Sequence, residues 1–130
     1  MNSFFKYNSI PILWAILILA LCLMPGKDLP SITIFEFDKI VHFAIYMVLA
    51  LLMYYGWKKQ NSFLSLHHQT LLKIMILTFM YGFLVEVIQE FFTADRHFDI
   101  LDALANSAGA ISGSCLGAQL KKMLRIRFPQ

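Results

Sequence analysis

Glu86, Gln89 and Glu90 interrupt an apolar run extending from about Leu71 to Phe92. Carboxylates in hydrocarbon are costly, so they mark function more often than stability. Asp38, Lys39 and His42 open another apolar run, with Asp38 and His42 at i,i+4 on one helical face and Tyr46 one turn deeper. Arg96, Asp99, Asp102 and Asn106 lead into a third. From the rise of a helix, Glu86 lies ~9 Å below Phe92, Asn106 ~8 Å below Leu101 and Tyr46 ~9 Å below Ile40. One polar layer can therefore form across three helices, as a cavity lined by carboxylates and an amide with Arg96, Lys39 and His42 as counter-charges. Arg96 is the expected partner of Asp99 and Asp102. Asp99 also fits a plainer role as a helix cap, with Asp102 in the first turn. Glu90, Asp95 and His97 are expected at the interface, in solvent.

These groups need long apolar elements to hold them. The chain has 130 residues, 58% hydrophobic and 15% charged, with mean hydropathy +0.63, too apolar for a soluble domain of this size. Four segments approach the roughly 20 residues that a bilayer core requires: Phe4–Met24, Ile40–Trp57, Leu71–Phe92 and Leu101–Leu120. The expected fold is all-α, a compact bundle of four transmembrane helices forming a single domain over residues 1–130. Lys6, Lys58, Lys59, Lys73, Lys121, Lys122, Arg125 and Arg127 flank one set of helix ends, and all eight acidic residues lie at the other. The positive-inside rule then puts both termini in the cytoplasm and the acidic end outside. Tyr54, Tyr55 and Trp57 before Lys58 and Lys59 form an aromatic and basic anchor of the kind found at a cytoplasmic interface.

Net charge +3 does not point to nucleic acid, because the basic residues sit beside the spans and no soluble domain carries a groove. Cys22 and Cys115 form no disulfide framework and are expected to be inert. The fourth span is rich in small residues, with Gly109, Gly113 and Gly117 at steps of four. This stripe suits close helix approach at the centre of the bundle, and secondarily a homo-oligomer. No phosphate-binding loop, nucleophile elbow or HExxH motif is present, and the sequence calls for no cofactor and no metal.

At its polar residues the chain resembles the VanZ-like family of small bacterial membrane proteins. The carrying segments are Asp38-Lys39-Ile40-Val41-His42 with Tyr46, Glu86-Val87-Ile88-Gln89, Arg96 with Asp99 and Asp102, and Asn106 leading to Gly109 and Gly113, spanning residues 38–113. The resemblance implies a multi-pass protein of the bacterial cytoplasmic membrane, in a family named for a member associated with resistance to the glycopeptide teicoplanin. By position, Asp38, Lys39, His42, Glu86, Gln89, Arg96, Asp102 and Asn106 match the family's polar motifs.

The first functional reading is a non-enzymatic protein whose outer cavity binds the polar headgroup of an envelope lipid or lipid-linked glycan precursor. Arg96, Lys39 and His42 would receive phosphate or carboxylate, and Glu86, Asp102 and Asn106 would receive hydroxyl, amine or amide groups. An alternative is a membrane hydrolase or transferase on such a lipid, with Glu86 or His42 as general base and Arg96 stabilising developing charge. A metal-dependent version through Asp38, His42, Glu86 and Asp102 is weaker, because the same residues suit a salt-bridge cluster. A proton-coupled transporter is a further alternative, opposed by the lack of an inverted repeat.

Overall fold

The computed structural model describes residues 2–24, 35–94 and 97–128. They form four helices: α1 Ser3–Cys22, α2 Phe35–Lys59, α3 Thr70–Phe92 and α4 Ile100–Met123, with a short 3-10 turn at Leu64–His67 in the second connection. The helices begin or end within a few residues of the sequence limits, except that α2 starts five residues before Ile40. Apolarity locates the membrane-facing part of a helix, whereas hydrogen bonding carries the helix past it, and the charged turn around Asp38 is helical too.

Beside an apolar core of residues such as Ile18, Leu49, Trp57, Ile74 and Val85, the interior holds polar groups while large apolar side chains face outward. Glu86, Asn106, Asn8, Gln60, Thr78 and Ser114 are buried, while Ile10, Leu13, Ile16, Phe79, Met80, Phe83 and Leu104 point outward. An exterior this apolar is stable only where the surroundings are hydrocarbon. Three helices, α1, α2 and α3, are long and apolar enough to cross a membrane. The sequence reading counts four. α4 has 24 residues, about 36 Å at 1.5 Å per residue, so length is not what sets it apart. Its apolar content is diluted by Asp102, Asn106 and the serines, which are needed because its inner face meets α2 and α3 rather than lipid.

α2 and α4 form the most extensive helix pair in the bundle, and glycines explain why. A Cβ on Gly109 would overlap the Phe43 carbonyl, and one on Gly113 would overlap the Met47 carbonyl. At Gly117 the neighbour is the Tyr54 ring, 2.8 Å from such a Cβ. The stripe expected from the sequence is therefore buried within the chain, against α2.

α1 is fastened by side chains that reach backbone carbonyls. Trp14 Nε1 donates to Ile45 O at 3.0 Å, Tyr81 OH donates to Ala15 O at 2.5 Å, and Gln89 Nε2 donates to Cys22 O at 2.8 Å. Asn2 caps its start by accepting from Phe4 N. The second connection packs beside this N-terminus, with Phe4 N donating to Ser62 Oγ and Asn61 N to Ser3 Oγ. Phe128 meets the Tyr54 and Tyr55 rings. The described basic helix ends thus share one end of the bundle, opposite Asp38, Asp99 and Asp102. In the second connection, His67 bonds through Nε2 to Gln60 O at 2.8 Å.

Candidate functional site

The acidic end is assembled from the first turns of α2, the last turns of α3 and the start of α4. Asp99 is the N-cap of α4 and accepts from Leu101 N. That satisfies one of the donors a helix start leaves open. Its other carboxylate oxygen accepts from Lys39 Nζ at 2.8 Å, and the same ammonium donates to Asp102 Oδ1 at 2.9 Å. The Lys39 ammonium, and then the Leu101 N–H, hold Asp99 below the usual carboxylate range. Lys39 thus pairs with both aspartates, and the pairing expected with Arg96 falls on a residue outside the described ones. A lysine in the first turns of α2 faces the start of α4 directly, so helix approach places it there. Arg96 and Asp95 lie outside the described residues, as do Lys27 and Asp28.

One turn below Asp38, His42 occupies the centre. Its ring is 3% exposed, and Nδ1 lies 2.9 Å from Asn106 Oδ1. A carbonyl oxygen can only accept, so Nδ1 carries the hydrogen and Nε2 is left to face the acidic side. Around the ring stand three carboxylates at similar range: Asp38 Oδ1 at 3.8 Å and Asp102 Oδ2 at 4.0 Å from Nε2, and Glu86 Oε1 at 3.9 Å from Nδ1. Glu86 is wholly buried.

Tyr46 and Asn106 meet beneath this layer. A Cβ on Gly82 would stand 3.2 Å from both Asn106 Nδ2 and Tyr46 Cε1, so glycine at that position leaves room for the amide and the ring. Gly82 is a site residue that no polar motif marks. Its signal was its position one turn before Glu86. Tyr46 OH and Asn106 Nδ2 are buried without a hydrogen-bond partner among the described residues.

Asp38, Lys39, His42, Glu86, Asp99, Asp102 and Asn106 are linked by these distances, and Tyr46 adjoins Asn106. Gln89 is buried but directs its amide nitrogen to the end of α1. Glu90 is exposed as expected and receives Phe98 N at 2.6 Å, which fixes the approach to α4.

The arrangement has a buried floor of Tyr46, Glu86 and Asn106, a central imidazole, and a partly exposed rim at Asp38, Lys39 and Asp99. It can exchange hydrogen bonds with polar groups, hold or move a proton at His42, or coordinate a cation through Asp38, His42 and Asp102. No curated protein and no solved structure matches the chain significantly. The model of the VanZ/LLP1 family matches residues 2–121, nearly the whole length and every residue of the cluster, and the chain belongs to that family.

Proposed function

We propose that this chain is a membrane-embedded binding protein of the bacterial cytoplasmic membrane. Its polar cluster takes the headgroup of an envelope lipid or lipid-linked glycan precursor. Both termini lie in the cytoplasm, so the cluster faces outward. The observation that carries the reading is the fully buried Glu86 beside the His42–Asn106 pair. Groups so expensive to hold in a membrane, opening to a charged rim, suit a polar ligand arriving from the interface. Asn106 and the carboxylates would meet hydroxyl, amine or amide groups.

The test is to isolate the protein in nanodiscs made from native membrane, wash with detergent and identify the retained lipids by mass spectrometry. The wild type should be enriched in one headgroup class relative to the membrane, and Glu86→Gln should lose that enrichment at unchanged abundance. Retained lipid that mirrors the bulk membrane in both proteins would end the proposal. The association of the member that names the family with teicoplanin resistance makes susceptibility to that antibiotic the natural cellular readout.

A second reading, a hydrolase or transferase, draws on His42, a buried imidazole held at Nδ1 by Asn106 with Nε2 facing two carboxylates. Conversion of an added lipid-linked precursor to a new headgroup species by purified protein would favour it.

A further inference from the structure

We infer that Asp38, His42 and Asp102 form a binding site for one divalent transition-metal ion, of the Mn2+ or Zn2+ class. One ligand atom from each lies within 4.8 Å of the others. The distances from His42 Nε2 to Asp38 Oδ1 and Asp102 Oδ2, 3.8 and 4.0 Å, are nearly equal. A direct charged hydrogen bond would close them to about 2.7–2.9 Å. An ion with donors at about 2.0–2.2 Å instead keeps those donors roughly 3–4 Å from one another, which is the spacing seen.

His42 supplies the independent observation. The ring is 97% buried, being 3% exposed, and Nε2 makes no hydrogen bond with a described residue although it points at both carboxylates. Its orientation is fixed from behind by Nδ1–H donating to Asn106, as a ligating histidine is usually held by a carbonyl on its other nitrogen. Asp102 is held in the same manner: Lys39 takes Oδ1 and leaves Oδ2 toward the imidazole. One nitrogen and two carboxylate oxygens favour ions that accept both donor types over Mg2+ and Ca2+, which prefer oxygen alone.

Three protein donors leave coordination positions for water or for an anionic oxygen. The inference goes beyond the headgroup reading and does not depend on it, but it explains how a carboxylate-rich site would accept a phosphate or carboxylate headgroup.

The experiment uses the purified full chain in detergent, stripped with a chelator, dialysed and titrated with Mn2+, Zn2+, Mg2+ or Ca2+ alone. Calorimetry should give one Mn2+ or Zn2+ per chain, accompanied by a rise in thermal stability, with Mg2+ and Ca2+ much weaker. Asp38→Asn, at a half-exposed rim position that folding tolerates, should weaken binding at least tenfold. Asn106→Ala, which touches no ion but frees the imidazole, should weaken it 10–100-fold. Co2+ should give a visible absorption spectrum that changes in His42→Gln. Glu90→Gln, at an exposed residue outside the cluster, should bind within a few fold of wild type. Absence of stoichiometric binding, or binding unchanged in Asp38→Asn and His42→Gln, overturns the site. Because no lipid is added, failure here leaves the headgroup result standing, and the reverse holds.

Discussion

Alanine at Gly109 tests whether helix approach and site geometry are one property. An ideal Cβ there overlaps the Phe43 carbonyl oxygen, with the carbonyl carbon at 2.9 Å and Met47 N at 3.1 Å. Ordinary contact begins at 3.4 Å, so clearing the carbon alone requires about 0.5 Å of separation, and the oxygen requires more. The obstacle is helix backbone, which cannot rotate aside as a side chain does. Overpacking of this kind costs about 1–3 kcal/mol, and the upper part of that range applies to a rigid neighbour. Alanine recovers about 1 kcal/mol of helix propensity over glycine, leaving a net loss of about 1–2 kcal/mol. The His42–Asn106 bond, 2.9 Å long and one turn away, would stretch toward the limit of about 3.2 Å for a good N–H···O bond. Thermal unfolding in one detergent should show Gly109→Ala below wild type, and the ligand or metal affinity of the folded fraction should fall as well. Gly82→Ala is the control: its neighbours at 3.2–3.3 Å are side-chain atoms, so its stability should stay near wild type. If Gly109→Ala is as stable as wild type at normal membrane abundance, α2 and α4 are not in backbone contact and the reasoning fails.

Asp99 carries a pH prediction. Its pairing with Lys39 depresses the folded-state pKa, so the stabilisation is complete above the ordinary aspartate value of about 3.9 and is lost as pH falls through the lower folded value. Asparagine caps helices as well as aspartate, so Asp99→Asn should melt below wild type at neutral pH, and the gap should close as pH falls through the depressed folded-state value of Asp99; a gap independent of pH would rule out the ion pair as the cause. For topology, single cysteines in a background lacking Cys22 and Cys115 should be shielded from an impermeant thiol reagent at Ser65 and labelled at Ala94 in intact cells. The reverse pattern would put the cluster on the cytoplasmic side.

Depth along the helices was legible from the sequence because helical rise is fixed: Glu86, Asn106 and Tyr46 were expected in one layer, and His42 and Asp102 above them. Partners were not legible. Lys39 is 60 and 63 residues from Asp99 and Asp102 in the sequence, and only the facing of α2 against α4 brings it to both. Gln89 shares a helical face with Glu86, yet its amide nitrogen serves the end of α1, because three helices crowd that face and the sequence of one helix does not say which neighbour lies nearest. Pairing depends on helix rotation and tilt, which a periodic pattern constrains to a face but not to a contact.

The close approach of α2 and α4 also accounts for the residue types in the cluster. Asp102 and Asn106 have short side chains, with little rotamer freedom to lose on ordering, but they reach His42 and Lys39 only if the two helices nearly touch. Glycines at 109 and 113 permit that contact, and they follow Asn106 on the same stripe. A glutamate or glutamine on a wider interface could span the gap, at the cost of more side-chain entropy and a less fixed imidazole. The small-residue stripe and the polar cluster therefore depend on each other. Enlarging a glycine should loosen the site, and removing the His42–Asn106 pair should leave the glycine contact intact, so the coupling runs from packing to chemistry.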